Sequence, residues 1–133
     1  MQILEHIHVN VASIDATERF LKLAVPAYTP RGGGADPNYG KWLHIGTATN
    51  YIALTEVKGA KPVKSLRHIG LVVKDIDGLI NRLRESGIDP SDASALDGHP
   101  HRRRVYYCDA NGLDWEFVEY LSEDPGQRND YSH

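Results

Sequence analysis

An internal repeat constrains the fold of this chain more than any other feature of its sequence. Residues 4–11 (LEHIHVNV) match residues 66–73 (LRHIGLVV), 62 positions later, with Leu, His, Ile and the last Val in register. Residues 41–57 then align with residues 104–120, 63 positions later, without a gap. The offset changes by one residue inside loops, where insertions cost little. The sequence therefore predicts that one structural module occurs twice.

Each copy predicts a strand, a helix and then a meander of strands. Ser13 and Asp75 occupy matching positions, and their side-chain oxygens suit the cap of a helix's first turn. In the first copy we predict a strand, a helix and two further strands, at 3–11, 13–24, 41–46 and 50–57. Pro26–Gly40 is predicted as a loop, with or without a short strand. In the second copy we predict the same elements, with Gly87 ending the helix, at 66–73, 75–86, 103–108 and 113–121.

The two copies are expected to form one domain over residues 1–133. Each half alone would bury too little apolar surface, so the halves should share a core. The modules span residues 3–57 and 66–121, with a linker at Lys58–Ser65 and a polar tail at 122–133.

Composition restricts the classes of partner. The 133 residues carry a net charge of −3, so no basic excess points to nucleic acid. The single cysteine, Cys108, cannot form an internal disulfide, which fits a reducing compartment. No stretch approaches the roughly 20 apolar residues of a membrane span. We therefore expect a cytoplasmic protein whose partners include neither nucleic acid nor membrane.

Alternation along the strands divides their side chains between two faces. The apolar face, which we expect the helices to cover, carries Ile7, Val9, Val11, Ile69, Leu71 and Val73. The opposite, open face then carries His6, His68 and Glu116. A carboxylate in a half-enclosed sheet needs a charged partner, and a divalent metal would supply one. Two imidazoles and one carboxylate leave coordination positions open, as in catalytic sites. The alternative is that all three are ordinary polar residues of a sheet.

At these residues the chain resembles the vicinal oxygen chelate superfamily. That group includes glyoxalase I, fosfomycin-modifying enzymes, extradiol dioxygenases, methylmalonyl-CoA epimerase and bleomycin-resistance proteins. The resemblance rests on a His that opens a strand before a helix start (68–76, HIGLVVKDI) and on a turn followed by an acidic strand (109–119, DANGLDWEFVE). It covers residues 3–121. It implies an α+β fold of two tandem βαβββ modules that form a curved mixed sheet with helices on the outer face.

The resemblance also implies a function. It makes His6, His68 and Glu116 the ligands of one divalent metal ion (Fe, Mn, Ni, Zn or Mg) that chelates a small, oxygen-rich substrate. Glyoxalase I has a fourth ligand, a Glu, where this chain has Ala53, so the glutathione-hemithioacetal reaction is disfavoured. The expectation is a metal-dependent lyase, isomerase or dioxygenase. The alternative is a metal-free protein that sequesters a small molecule, as bleomycin-resistance proteins do. Small members commonly pair, so a homodimer is expected.

Further candidates share the open face. His8 lies two residues after His6 and is a candidate general base, or a polar wall residue. Tyr106 could donate a hydrogen bond to a developing oxyanion, or simply pack. Arg104 could bind a carboxylate or phosphate, or be a solvated charge. The weaker substrate-binding candidates are Asn10, Tyr51 and His44.

Overall fold

A computed structural model describes residues 4–62 and 66–133, which form two compact units. Among the described residues, the first unit comprises 4–62 and 110–112, and the second comprises 66–109 and 113–133. The first unit contains β1 (His6–Val11), α1 (Ile14–Ala24), β2 (Thr29–Asp36), β3 (Gly40–Gly46) and β4 (Tyr51–Glu56). The second contains β5 (Ile69–Val72), α2 (Ile76–Glu85), β6 (Arg102–Cys108), β7 (Asp114–Tyr120) and α3 (Pro125–Arg128). Residue 3 of the first predicted strand and residues 63–65 of the predicted linker lie outside the described residues.

Each unit has its own mixed sheet, and the two sheets follow the same plan. The first sheet has the strand order β1-β4-β3-β2, with β1 parallel to β4 and the other pairs antiparallel. The second has the order β5-β7-β6, with β5 parallel to β7 and β6 antiparallel to it. A parallel pair needs a long crossover, and the helix of each module lies in that connection. The predicted duplication and the α+β class are thus confirmed.

The helices begin where the sequence predicts. Ser13 Oγ accepts a hydrogen bond from the Ala16 N–H at 3.2 Å, and Asp75 Oδ1 accepts from the Gly78 N–H at 2.9 Å. Each cap satisfies a first-turn donor that would otherwise lack a partner, an effect of about 1 kcal/mol. The helix α1 packs against β3 and β4, and α2 packs against β6 and β7. In α2, Gly87 ends the helix with φ of +78°, a conformation that costs glycine little.

The predicted apolar faces form the cores of the units. In the second unit the largest fully buried side chains include Trp115, Tyr107 and Phe117, which lie on β6 and β7. Of the six apolar residues predicted to be covered, Val9, Val11, Ile69 and Val73 are buried, whereas Ile7 and Leu71 are half-buried. His6, His8 and Asn10 on the opposite face are exposed. Strand alternation therefore assigned the two faces of the first strand correctly.

The number of strands differs from the prediction in both modules. The segment predicted as a loop contains the eight-residue strand β2, which pairs with β3. Its sequence, TPRGGGAD, does not alternate between apolar and polar residues, because this edge strand is held by backbone hydrogen bonds to β3. The ring of Trp42 packs over Gly32 and Gly34. The second module has three strands rather than four. Where the fourth would lie, residues rich in Pro, Asp, Ser and Gly make only an isolated bridge between Asp92 and Tyr106.

The turn between β6 and β7 belongs to the first unit. Asn111 Oδ1 accepts hydrogen bonds from the backbone N–H groups of Ala12 and Ser13 at 3.1 and 3.2 Å. Its Nδ2 donates to Thr17 Oγ1 at 2.7 Å. Gly112, at φ +81°, lets the chain turn back. One amide side chain thus secures the start of α1.

The polar tail is anchored in the second unit rather than frayed. Its short helix α3 is capped by Asp124, whose carboxylate accepts from the Gly126 N–H. The buried side chain of Arg102 donates to the carbonyl oxygens of Arg128 and Asp130 at 3.3 and 3.2 Å. Along residues 4–62 and 66–133, no helix is both long enough and apolar enough to span a membrane.

Candidate functional site

The second unit brings together two of the three predicted metal ligands. His68 immediately precedes β5, and Glu116 lies in β7, directly opposite Gly70 of β5. The distance from His68 Nε2 to Glu116 Oε2 is 3.1 Å. A Cβ at position 70 would lie 3.7 Å from the same carboxylate oxygen, so the glycine leaves that side of Glu116 open. An imidazole nitrogen and a carboxylate oxygen are therefore in direct contact on this side of the second sheet.

The other oxygen of Glu116 is held by residues of β6. Tyr106, the cross-strand partner of Glu116, donates its hydroxyl to Oε1 at 2.8 Å. Arg104 Nη1 lies 3.8 Å from the same oxygen. Burial raises the pKa of the Tyr106 phenol, and the hydrogen bond to Glu116 raises that pKa further. Tyr106 is therefore a neutral donor at neutral pH, and it orients the carboxylate so that Oε2 faces His68.

The pair of His68 and Glu116 fits part of a divalent metal site. Imidazole nitrogen and carboxylate oxygen are ligands that Zn, Fe, Ni and Mn all accept. The side chains retain 34% and 15% of their exposure, so an ion can reach them from solvent. In neither unit do the described residues contain a group of three or more His, Cys, Asp or Glu side chains that could hold a metal ion. The second unit alone therefore supplies two ligands.

The third predicted ligand, His6, opens β1 in the first unit. Its ring stacks on that of Tyr51, with centroids 4.7 Å apart and planes 15° apart. His6 Nδ1 lies 2.9 Å from Glu5 Oε1, and this hydrogen bond lowers the pKa of Glu5. A carboxylate on one imidazole nitrogen fixes the ring and favours Nε2 as a metal ligand. Glu5 was not among the predicted site residues, although its position next to a candidate ligand in the sequence is a usable signal.

His8 shares the open face of the first sheet with His6. Its Nε2 lies 2.8 Å from Thr55 Oγ1 on the neighbouring strand β4. A hydroxyl can donate to or accept from an imidazole, so either neutral form of His8 can make this bond. Asn10 is exposed on the same face and lies opposite Thr55 in the register. Both residues are accessible to a ligand on this face.

His44, Tyr51 and Trp42 form a row of rings on β3 and β4. The centroids of His44 and Tyr51 lie 4.8 Å apart, and those of His44 and Trp42 lie 5.0 Å apart. Burial lowers the pKa of His44, and the charges of His6, His8 and Arg31 lower it further. His44 is therefore neutral at pH 7 and can both donate and accept a hydrogen bond.

Arg31 of β2 lies next to this row and was not among the predicted site residues. A β-bulge interrupts the register of β2 between Pro30 and Gly32. The guanidinium of Arg31 lies over the ring of Tyr51, 4.3 Å from its centroid. No sequence pattern marked the bulge.

The first unit has no counterpart to Glu116. Ala53 occupies the matching position in β4 and is 4% exposed. Glu56, three residues later, accepts a hydrogen bond from the Ile14 N–H at 2.9 Å and so stabilises the start of α1. The two modules are therefore chemically unequal.

Solved structures identify the fold, whereas sequence comparison does not. No protein-family model matches the chain, and no curated protein matches it. The fosfomycin resistance protein FosX from Listeria monocytogenes superposes with a TM-score of 0.73 at 16% identity, over 96% of each chain. A glyoxalase family protein from Enterococcus faecalis gives 0.70 at 20% identity, over 89% of this chain and 98% of that one. These are vicinal oxygen chelate proteins. The chain has the vicinal oxygen chelate fold.

The similar structures include both an antibiotic binding protein and a resistance protein with a bound metal ion. TnmS3, an antibiotic binding protein from Streptomyces, gives a TM-score of 0.67 at 20% identity, over 90% of this chain and 97% of that one. One FosX structure contains Mn(II) and 1S,2S-dihydroxypropylphosphonic acid. Because one fold hosts both kinds of protein, function has to be argued from the residues of the site.

Proposed function

We propose that this chain is a metal-dependent enzyme that acts on a small, oxygen-rich substrate, with His6, His68 and Glu116 holding one divalent ion. The observation that carries the proposal is the 3.1 Å approach of His68 Nε2 to Glu116 Oε2. This separation suits two ligands of one ion, and the side chains of His68 and Glu116 retain 34% and 15% of their exposure, so a cation can reach both. Candidate ions are Fe, Mn, Ni, Zn and Mg.

Residues around the proposed ligands would orient them for metal binding. When bound, the metal would act as a Lewis acid toward vicinal oxygens of the substrate. Tyr106 holds Glu116 by its Oε1, so that Oε2 keeps its orientation. Glu5 does the same for the imidazole of His6. Ordered partners of this kind typically raise metal affinity.

Proton transfer and substrate contact fall to residues of the open faces. His8 is exposed, and its ring is hydrogen-bonded to the hydroxyl of Thr55. It is the proposed proton carrier. Arg104 is the proposed contact for an anionic group in the second unit. In the first unit the proposed substrate contacts are Asn10, Tyr51 and His44. The reaction class is lyase, isomerase or dioxygenase.

A metal-free binding protein of the bleomycin-resistance type is the second candidate. The row formed by Trp42, His44 and Tyr51 favours it, because ring faces and edges bind flat ligands without any metal. The fold similarity to the antibiotic binding protein TnmS3 adds support. For either function we propose a cytoplasmic homodimer, as small proteins with this fold commonly pair.

Elemental analysis of protein purified without chelator tests the enzyme proposal. We expect one divalent ion per chain, lost in His68→Ala and in Glu116→Gln. Matched controls are His133→Ala and Glu85→Gln, which alter exposed residues of the same unit and should retain the ion. If the wild-type protein binds no metal after incubation with each candidate ion, the enzyme proposal is wrong and the metal-free binding protein remains.

A further inference from the structure

One charged group on the open face of the first unit has no role in the proposed metal chemistry. We propose that Arg31, His44 and Tyr51, together the Arg31 cluster, bind an anionic group of the ligand: a carboxylate, a phosphate or a phosphonate. This inference rests on the proposed function only in taking the open face as the ligand side. It applies equally to a metal-dependent enzyme and to a metal-free binding protein.

The backbone of β2 places Arg31 on that face. Pro30 pairs with Ile45 and Gly32 pairs with His44, so the register leaves Arg31 without a partner across the strands. Simple alternation would send Arg31 away from the side chain of His44, since Gly32 and His44 point the same way. The bulge instead turns its guanidinium over Tyr51, which itself stacks on His44 and His6. Bulges commonly redirect a side chain in this way beside functional sites.

The local charges favour an anion. Within residues 4–62 and 66–133, no carboxylate lies within 4.0 Å of the Arg31 guanidinium. Hydrogen bonds from His6 and Tyr51 lower the pKa of Glu5, and the nearby charge of Arg31 lowers it further. Arg31 is the permanent positive charge of the cluster, and its guanidinium lies over Tyr51 rather than in an ion pair with Glu5. An incoming anion would therefore meet an arginine that no ion pair among the described residues occupies.

The geometry of the cluster suits a flat oxyanion. The Arg31 guanidinium carbon lies 4.3 Å from the centroid of the Tyr51 ring, a distance at which the ring and the cation attract each other. An arginine edge binds two oxygens of a carboxylate or phosphate at once, which a lysine cannot do. Neutral His44 adds a donor beside it, whereas the Tyr51 hydroxyl is hydrogen-bonded to Glu5, so Tyr51 contributes its ring face. Arg31 is exposed, whereas His44 and Tyr51 are half-buried, so the cluster is open to solvent on one side.

Titration of the metal-free, full-length protein tests this inference independently of any metal. The probes are benzoate, inorganic phosphate and benzamide, which matches benzoate in shape but is neutral. Chemical shifts of the Trp42 indole N–H and the His44 ring report binding, since the two rings are neighbours. We expect saturable shifts with benzoate and phosphate and none with benzamide. Equal shifts with benzamide, or shifts confined to the second unit around Arg104, would overturn the proposal.

Variants separate this inference from the proposed function. Arg31→Gln should weaken benzoate binding about tenfold or more, which corresponds to the loss of a charged hydrogen-bonding pair. Arg31→Lys should recover only part of that loss, and the control Arg19→Gln, at an exposed site on α1, should change nothing. Wild-type affinity in a folded Arg31→Gln protein would contradict the proposal. The metal content of Arg31→Gln should equal that of wild type, so failure of one proposal does not imply failure of the other.

Discussion

Glu116 is the residue on which most of the proposed site depends, because different partners hold its two oxygens. Oε2 faces His68 Nε2, and Oε1 accepts the Tyr106 hydroxyl. Alternation from the sequence predicted that these three side chains share a face. Alternation could not predict that the Tyr106 hydroxyl donates to Glu116 instead of to a substrate oxyanion. This hydrogen bond depends on the register between β6 and β7, which places the two residues opposite each other.

Tyr106→Phe should weaken metal binding without unfolding the protein. The variant removes the donor to Oε1 and leaves the ring, so the carboxylate loses its fixed orientation. Loss of such a supporting hydrogen bond typically costs about 10- to 100-fold in metal affinity. Competition titration with a chelating indicator measures the change, with Tyr39→Phe at an exposed site as control. An affinity equal to that of wild type would show that Tyr106 does not position Glu116.

Tyr107 makes the stability of the second unit sensitive to high pH. Burial raises the pKa of this fully buried phenol to about 12. In the unfolded chain the phenol ionises near 10, so its contribution to stability is fully present below about pH 10 and is lost as the pH rises toward 12. Between about pH 10 and pH 12, stability should fall by about 1.4 kcal/mol per pH unit.

Urea denaturation at pH 9 and pH 11 measures this effect. Tyr107→Phe cannot ionise, so its loss of stability between the two pH values should be smaller than that of wild type by about 1.4 kcal/mol. Subtraction cancels the other tyrosines. Parallel losses in the two proteins would contradict the assignment.

At the scale of elements, helix starts were the most predictable features and β2 the least. Ser13 and Asp75 combine capping chemistry with an apolar period, and both signals are local in sequence. The strand β2 depends instead on hydrogen bonds to β3 and on a Trp42 ring lying over glycines. Neither feature appears in the periodicity of TPRGGGAD.

Asn111→Ala should destabilise the start of α1. The amide makes three hydrogen bonds, to the N–H groups of Ala12 and Ser13 and to the hydroxyl of Thr17. The substitution removes all three hydrogen bonds and should lower the free energy of unfolding by about 2 kcal/mol. Urea denaturation at neutral pH measures the change, with Asn81→Ala at an exposed site of α2 as control. A loss no larger than that of the control would show that water replaces the amide.

At the scale of the whole molecule, the repeat explains the fold and its divergence explains the chemistry. Both units pair their first strand in parallel with their last, as duplication requires. Yet the second has Glu116 where the first has Ala53, so only one module offers a carboxylate at that position. The sequence revealed this asymmetry. It did not reveal Arg31, because a bulge breaks the two-residue period on which that interpretation relies.

Anomalous diffraction can show whether His6, His68 and Glu116 share one metal ion, as proposed. Crystals of metal-loaded protein would be measured above and below the absorption edge of the bound ion. We expect one strong peak per site, about 2.0–2.3 Å from a nitrogen of each histidine and an oxygen of Glu116. These ligands can come from one chain or from two neighbouring chains. A peak bound by other side chains, or no peak at these residues, would contradict the proposal.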